Sequence, residues 1–549
     1  MNICKELNKF KYCLNLENKN VFEDEDLLVI IDSAKNKKSY LENVIVKYKE
    51  YGTDFLKNIE VLYSIFICDK KADKIIVAKD MVGLSNIYYH VNDNAVYIAN
   101  DIIELMDINN LKKEINEKAL SIYFRLHYIK PPETIFSNVY KLEHGQYLVY
   151  DGKNLETEFY WEPVQKFNEN KKFAVENFDE AKNQVREKIE NYVKNIVTTE
   201  ENCGIYLSGG IDSSLITALA SKYCKNKIKT FSIGFYEKEC NEAEKSKRIA
   251  EYFGTDHHEL YISEDVLLDK IKMIPVYYTE PFADASELAT LILNEFAKEN
   301  GVEYALTGDG ADQLFCGCGI YDTIYKTQKA HKKFNPFNIH ISPKLLRNKR
   351  KLILLYSNTD KKYRGQGDIV YEELFFKGLF KDDGLKRLEK ECKVDSKDWQ
   401  ERRLIVDFDT YLCDGINTKM GVPARKNGIE VKSTFLNKDL ITYSFKIPHK
   451  YKYNNGNKKY ILKEILYEYL PKEYIENKKR GFAIPTQKWL QTYLNKDLKR
   501  LSAKEFIEKQ NIFNYDVLNK ILNNIDDSKY AHIIWDYYMF QIWYEKYMA

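Results

Sequence analysis

One run of residues stands out for its chemistry: Gly204-Ile205-Tyr206-Leu207-Ser208-Gly209-Gly210-Ile211-Asp212-Ser213-Ser214. Its apolar start reads as a buried strand, and its two glycines let backbone N–H groups face outward without side-chain obstruction. A helix is expected to begin near Ser213, so that backbone donors, hydroxyls and a helix N-terminus converge on one anion-sized space. Asp212 is the discordant member. A carboxylate beside a bound phosphate repels it unless a divalent cation lies between them, so Asp212 points to Mg2+. The pattern has neither the Gly-Lys-Ser/Thr ending of a Walker loop nor the spacing of a dinucleotide fingerprint. A bare strand-to-helix turn accounts for two glycines, but not for the whole of SGGIDSS between an apolar strand and an apolar helix.

Other chemically suggestive residues have plainer readings. His257 and His258 are adjacent on an expected strand, so they point to opposite faces and do not chelate one ion. Cys316-Gly317-Cys318 is a close thiol pair, without the second hook or histidines that zinc sites use. The basic run KLLRNKRK from Lys344 to Lys351 reads as a solvated helix end. By local pattern alone, Lys478-Lys479-Arg480 is likewise a solvated loop.

The elements that must position the glycine turn follow from periodicity. From Leu27 to about Trp161 the runs LLVIID, SIFICDK, KIIVAKD, IYYHV, AVYIAND and GQYLVYDG predict a mainly antiparallel sheet region with occasional helices. A polar stretch from Trp161 to Phe173 then separates two rhythms, which predicts domains at residues 1–165 and 166–549. Ala181, Val185, Ile189, Val193 and Ile196 recur at helical spacing behind an expected cap at Asp179. Beyond them the strands CGIYLS, KTFSIGF, HHELYI and VEYALTGDG alternate with helical segments, the pattern of a doubly wound parallel α/β sheet. Residues 321–549 read as a helical extension closing over that sheet.

Composition narrows the function classes. The 549 residues carry 84 basic and 82 acidic side chains, with 44% hydrophobic and 30% charged residues. This balance argues against a protein that neutralises nucleic-acid phosphates over a broad basic face. The longest apolar runs fall well short of the roughly 18 residues of a membrane helix, and the N-terminal residues MNICKELNKF show no apolar signal core. A cytoplasmic protein is expected. Ten dispersed cysteines are expected to be free thiols.

SGGIDSS resembles the pyrophosphate loop of the ATP pyrophosphatase superfamily, and the chain more narrowly resembles the asparagine synthetase family. The segments TFSIGFYEKECNEAEKSKRIAEYFGTDHHELYI, EPFADASELA, LTGDGADQLFCG, TYLCDGINTK, GIEVKSTFLNKDL and KKRGFAIPTQKWL occur in that family's order. The resemblance implies an N-terminal Ntn-type glutaminase-like α+β domain and a C-terminal ATP pyrophosphatase domain. It implies that Asp212 and Asp312 hold Mg2+ against the pyrophosphate of ATP. The loop Ser208, Gly209, Gly210 and Ser213 would cradle phosphates, and adenosine would rest on backbone at Leu207, Ile233, Thr307 and Gly308. Asp309 would take part in forming an acyl-adenylate, and Lys479 would sit near the reacting phosphate. The implied reaction is AMP-forming synthesis of an amide from a free or peptide carboxylate and ammonia or an amine. The implied partners are those two substrates, with no nucleic acid or membrane, in a possible homodimer.

The chain also departs from the family. Glutamine-using members expose an N-terminal cysteine, whereas here Asn2 follows Met1 and Cys4 is followed by Lys-Glu. The family's NGEIYN segment is missing, although AKDMVGLSNIYYH keeps the RDxxGxxPLYY pattern and its Asp80. A degenerate glutaminase domain without activity is therefore expected, with nitrogen coming from free ammonia, a separate glutaminase, or an amine on the substrate. After Lys419, Met420-Gly421-Val422-Pro423-Ala424 replaces DRxSM. Lys432 replaces an arginine, Asn437 an aspartate, and Gln313 an acid. Arginine and lysine grip carboxylates differently, which implies an acceptor pocket unlike one for free aspartate. Alternatives are a lasso-peptide or β-lactam-synthetase-like cyclase and a catalytically silent ATP-binding scaffold. A superfamily enzyme acting on tRNA would need a basic face or paired catalytic cysteines.

Overall fold

The computed structural model describes residues 2–6, 11–15, 20–33, 35, 37–60, 63–92, 95–108, 110–235, 243–334, 394–475 and 485–548. In the N-terminal part the strands are β1 (Asn2–Glu6), β2 (Lys11–Asn15), β3 (Asn20–Glu23), β4 (Leu27–Asp32), β5 (Ser64–Asp69), β6 (Lys74–Ala78), β7 (Tyr88–Asn92), β8 (Ala95–Ala99), β9 (Tyr140–Lys141), β10 (Gln146–Tyr150) and β11 (Leu155–Phe159). They form two sheets, ordered β1-β2-β8-β7-β9 and β11-β10-β6-β5-β4-β3. Every pairing is antiparallel except β2 with β8.

The alternation of β4 shows why the sheets stack. Leu28 and Ile30 join Val96 and Ile98 of β8 in the core between the sheets. Leu27, Val29 and Ile31, on its opposite face, share a core with Leu41, Val44, Ile45 and Tyr48 of the helix Lys38–Tyr51. Burial on both faces accounts for an unbroken apolar strand. The outer face of the first sheet is covered in the same way, by the helices Ile102–Ile108 and Glu117–Leu126. The result is four layers, helix on sheet on sheet on helix.

The C-terminal part is built on β12 (Cys203–Tyr206), β13 (Lys229–Phe235), β14 (Asp256–Ile262), β15 (Tyr304–Thr307) and β16 (Glu430–Ser433). Their order is β14-β13-β12-β15-β16 and all are parallel. Ile205 faces the helices Phe178–Thr199 and Ile211–Tyr223, and Tyr206 faces the side covered by Ala297, Met420 and Ala424. On the Tyr206 face Gly204 is obligatory. A Cβ there would lie 2.8 Å from Val302 Cγ2 and 2.9 Å from Phe231 Cε2.

Three expectations need correction. The helix of the Ala181 to Ile196 stripe is capped by Asn177, whose side chain accepts from the Glu180 N–H. Asp179 lies in the first turn, where its charge favours the helix dipole without capping it. The polar stretch after Trp161 is itself structured: Pro163–Asn170 is helical and buries Pro163, Val164 and Phe167. β16 was hidden in the expected helical extension because its sequence, EVKS, is short and half charged. Cys13 is disulfide-bonded; the hairpin pairing of β1 with β2 sets it opposite Cys4. Cys68, Cys203, Cys224, Cys316 and Cys413 are free thiols, as expected.

Candidate active site

The chain runs from β12 outward to β14, then returns to the other side of β12 to make β15. The crevice between β12 and β15 is therefore a topological switch point, where the loops after the two strands part. A cavity of about 580 Å³ opens there. Leu207, Ser208, Asp212 and Ser213 line it from the first loop, Thr307, Gly308, Asp309 and Asp312 from the second, and Ile233 from β13.

The first loop takes its shape from its own atoms. Leu207 N–H donates to Phe231 C=O at 2.8 Å, which extends the ladder one residue past β12. Gly209 has φ +69°, a left-handed conformation that glycine adopts without strain. A Cβ there would also press within 3.3 Å of Ser246. Gly210 opens the helix Ile211–Tyr223, and its carbonyl accepts from Ser214 N–H at 3.0 Å and Ser214 Oγ at 2.6 Å. Ser213 Oγ accepts from Ser208 N–H at 3.2 Å. Gly209 and Gly210 shape the turn without lining the cavity.

The second loop locks onto the first. A Cβ on Gly308 would lie 2.9 Å from Asp212 Cβ, so the two loops are in backbone-to-side-chain contact. Gly310, at φ +91°, starts the turn that carries Asp312 back into the site. Burial pushes the Asp309 carboxyl up from the ordinary carboxylate range.

Asp212 and Asp312 converge on a cation that no motif announced, Lys459. Lys459 Nζ bonds Asp212 Oδ2 and lies 2.6 Å from Asp312 Oδ1. Two carboxylates converging on one positive centre are a donor set of the kind that suits a hard divalent cation. A second unanticipated pair forms the opposite wall. Lys419 Nζ donates to Asp284 Oδ2 at 3.1 Å and to Ser286 Oγ at 2.7 Å. Burial alone would raise the Asp284 pKa, but Lys419 and the Ser286 donors hold it down to about 2. Asp284 and Lys419 lay inside quoted motifs; Lys459 lay in a stretch, NKKYILKE, with no distinguishing pattern.

The segment preceding Lys419 is π-helical from Phe408 to Ile416. Its wider turn sends Tyr411 and Ile416 to the cavity and Asp409 and Asp414 to the buried His144, at 3.2 and 3.7 Å. Lys432, the substituted arginine position, does not line the cavity: its ammonium bonds Glu430. Met420 does line it. The two histidines of β14 diverge as expected: His257 bonds Thr230 and Ser232, and His258 stacks on Phe231 at 5.0 Å. Lys479 and the run from Lys344 to Lys351 lie outside the described residues.

Comparison with known proteins agrees with this geometry. The family model Asparagine synthase matches residues 184–545, two thirds of the chain. The chain belongs to the asparagine synthase family. The model Glutamine amidotransferase domain matches residues 30–161, within the four-layer part. A glutamine-hydrolysing asparagine synthetase of Bacillus subtilis is 25% identical over 524 residues, 93% of this chain and 81% of that protein. A putative asparagine synthetase of Methanocaldococcus jannaschii is 32% identical over 285 residues, 50% of this chain and 53% of that protein. An amidase of Penicillium rubens, chyE, is 23% identical over 530 residues, 85% of this chain and 76% of that protein.

The fold is that family's pairing of an Ntn-type sheet domain with an ATP pyrophosphatase sheet. The protein is a ligase forming C–N bonds, in a family that uses ATP, a carboxylate, and ammonia or glutamine. Among the described residues no helix is long and apolar enough to cross a membrane.

Proposed function

We propose that the chain is an AMP-forming amide synthetase whose reaction takes place in the cavity between β12 and β15. A substrate carboxylate oxygen attacks the α-phosphorus of ATP, the bond to the β-phosphate oxygen breaks, and acyl-AMP and pyrophosphate result. An amine or ammonia then adds to the acyl carbon, loses a proton, and expels AMP. The observation that carries the reading is the convergence of the Ser208 to Ser213 turn with Asp309 and Asp312 on one cavity. We assign residues 166–549 to this chemistry and residues 1–165 to the glutaminase-like domain.

Each residue's part follows from its position. The 208–213 turn offers its hydroxyls and the backbone N–H groups after Ser208 to phosphate oxygens. Leu207, Ile233, Thr307 and Gly308 offer backbone to adenosine. Asp309, less acidic for being buried, lies at the cavity wall, where it would take part in forming the acyl-adenylate. Asp212 and Asp312 would hold Mg2+, which supplies charge compensation for the leaving pyrophosphate. The need for a cation is electrostatic: among the described residues Asp212, Asp284, Asp309, Asp312 and Lys419 line the cavity and Lys459 bridges two of the aspartates, so acid still exceeds base and a polyphosphate enters only with added positive charge. Lys479 remains our assignment for the group near the α-phosphate.

The acyl substrate is a carboxylate held by a wall unlike one for free aspartate, since Met420 stands at the cavity where the family has an acid. The nitrogen does not come from glutamine hydrolysed by this chain. Asp80, retained from the glutaminase pattern, is turned inward. Its oxygens accept from the N–H groups of Val82, Leu84 and Ser85 and from Ser85 Oγ, at 2.6 to 3.1 Å.

Pyrophosphate exchange into ATP, measured with panels of amino-acid and peptide carboxylates, tests the reading. Asp212→Ala should abolish exchange while leaving the melting transition cooperative. Retained exchange would remove the aspartate from the site. Glutamine should never replace ammonium as donor, and glutamine-dependent turnover by the purified chain would overturn that part.

A further inference from the structure

Lys459 is used by no step of the proposed reaction, yet few side chains are held so firmly. Its backbone is left-handed, φ +53°, where it opens the helix Tyr460–Leu466. Its N–H donates to Phe315 C=O at 3.2 Å, and its carbonyl accepts from Lys463 N–H at 2.9 Å. Ile461, Leu462, Ile465 and Leu466 bury the following helix in the main core. The side chain is only 5% exposed, so its ammonium is placed by the fold rather than by chance at a surface.

Gly317 makes room for it. A Cβ on that glycine would lie 2.0 Å from Lys459 Cε and 1.7 Å from Asp312 Oδ1. The path of the lysine stem to the two aspartates therefore exists only because residue 317 has no side chain. Asp212 and Asp312 repel each other at this separation in a water-poor site, and the ammonium cancels that repulsion. The same ammonium competes with any other cation for both carboxylates, since one oxygen of each is already bound to it.

Resting on the ligase reading above, we infer that Lys459 is a positioning residue that keeps Asp212 and Asp312 converged without nucleotide and makes divalent-cation binding there depend on nucleotide. The flexible four-carbon stem lets the ammonium turn to a phosphate oxygen when one arrives. The carboxylates are then released to the incoming cation. Metal and nucleotide thus enter together, and free metal alone does not occupy the site.

The test is titration of the full chain with Mn2+ alone, following free Mn2+ by electron paramagnetic resonance. Wild type should bind Mn2+ weakly without nucleotide and much more tightly with a non-hydrolysable ATP analogue. Lys459→Gln should bind Mn2+ without nucleotide at least roughly tenfold more tightly than wild type, because its uncompensated carboxylates attract the cation. Adding Asp312→Asn to that variant should erase the gain. No gain in Lys459→Gln, or a gain that survives Asp312→Asn, would overturn the inference. If Lys459→Gln does not fold, wild type alone decides, and tight Mn2+ binding without nucleotide would overturn it. Pyrophosphate exchange by wild type separates the two readings. An exchanging enzyme whose Lys459 variant gains no Mn2+ affinity sinks only the role of the lysine. An enzyme that never exchanges sinks the ligase mechanism, and the titration still decides the lysine's role.

Discussion

Replacing Lys419 with methionine should expose how much the wall of the cavity owes to one ion pair. Methionine keeps most of the stem's volume and removes the ammonium that Asp284 and Ser286 share. In the native protein Asp284 is held at about 2, against an ordinary value of 3.8. A depression of that size is worth about 2.5 kcal/mol in favour of the charged folded state, an upper figure. A fifth of the Asp284 side chain still meets solvent, which screens part of it. Because the folded pKa lies below the unfolded one, this stability is present above about pH 4 and lost as pH falls toward 2. In Lys419→Met burial acts with less opposition, and the Asp284 pKa should move above its ordinary value. The sign then reverses, and the variant loses stability as pH rises from about 4 toward neutrality. The gap between wild type and variant should therefore widen over pH 4.5 to 7.5, reaching about 2 to 3 kcal/mol at the upper end. Urea unfolding of the two proteins across that range is the assay. A gap that stays constant within about 0.5 kcal/mol, or narrows toward neutral pH, would refute the electrostatic account of this wall.

Two further outcomes follow from packing. Gly308→Ala should push the second loop from Asp212, since its Cβ would sit 2.9 Å from Asp212 Cβ. ATP affinity, read by equilibrium binding, should fall roughly tenfold or more while the melting temperature changes little. Unchanged affinity would mean the loops are not in register for nucleotide. Glu280→Ala should loosen the seam between the two parts of the chain. That carboxylate accepts from Lys141 Nζ at 2.6 Å, Tyr88 O–H at 2.8 Å and Ile135 N–H at 3.0 Å. Removing it strands a buried ammonium and should cost about 3 to 5 kcal/mol, whereas Glu280→Gln should cost less. Limited proteolysis at the seam and urea unfolding would check both, and equal effects of the two substitutions would count against the charge argument.

The elements were legible because their signals are local. An apolar strand, two glycines and an apolar helix declare a tight strand-to-helix turn within a dozen residues, and the Ala181 to Ile196 stripe declares one buried helical face. Asp80 was readable as a folding residue because its partners lie within five positions. β16 was not legible as a strand. Its Glu430 and Lys432 are paired with each other, and Glu430 also accepts from Tyr63 on a distant loop, so the polarity that disguises the strand has its partners elsewhere in the fold. The π-helical turn was hidden for a similar reason, since its two functions, toward the cavity and toward His144, are set by neighbours far along the chain.

Residue order by itself therefore determined the turn, the helices, most strands and, through its ordered motifs, the family. Which charges meet was decided in three dimensions. Asp212, Asp312 and Lys459 are separated by 247 residues between the first and the last, and no periodicity relates them. They meet because β15 returns to the side of β12 opposite β13, bringing two loops together at one rim, and because Gly317 leaves a gap wide enough for a lysine stem. Local patterns specify backbone shape through short-range sterics and burial, whereas the partners of a buried charge depend on strand order and on where the chain happens to leave space.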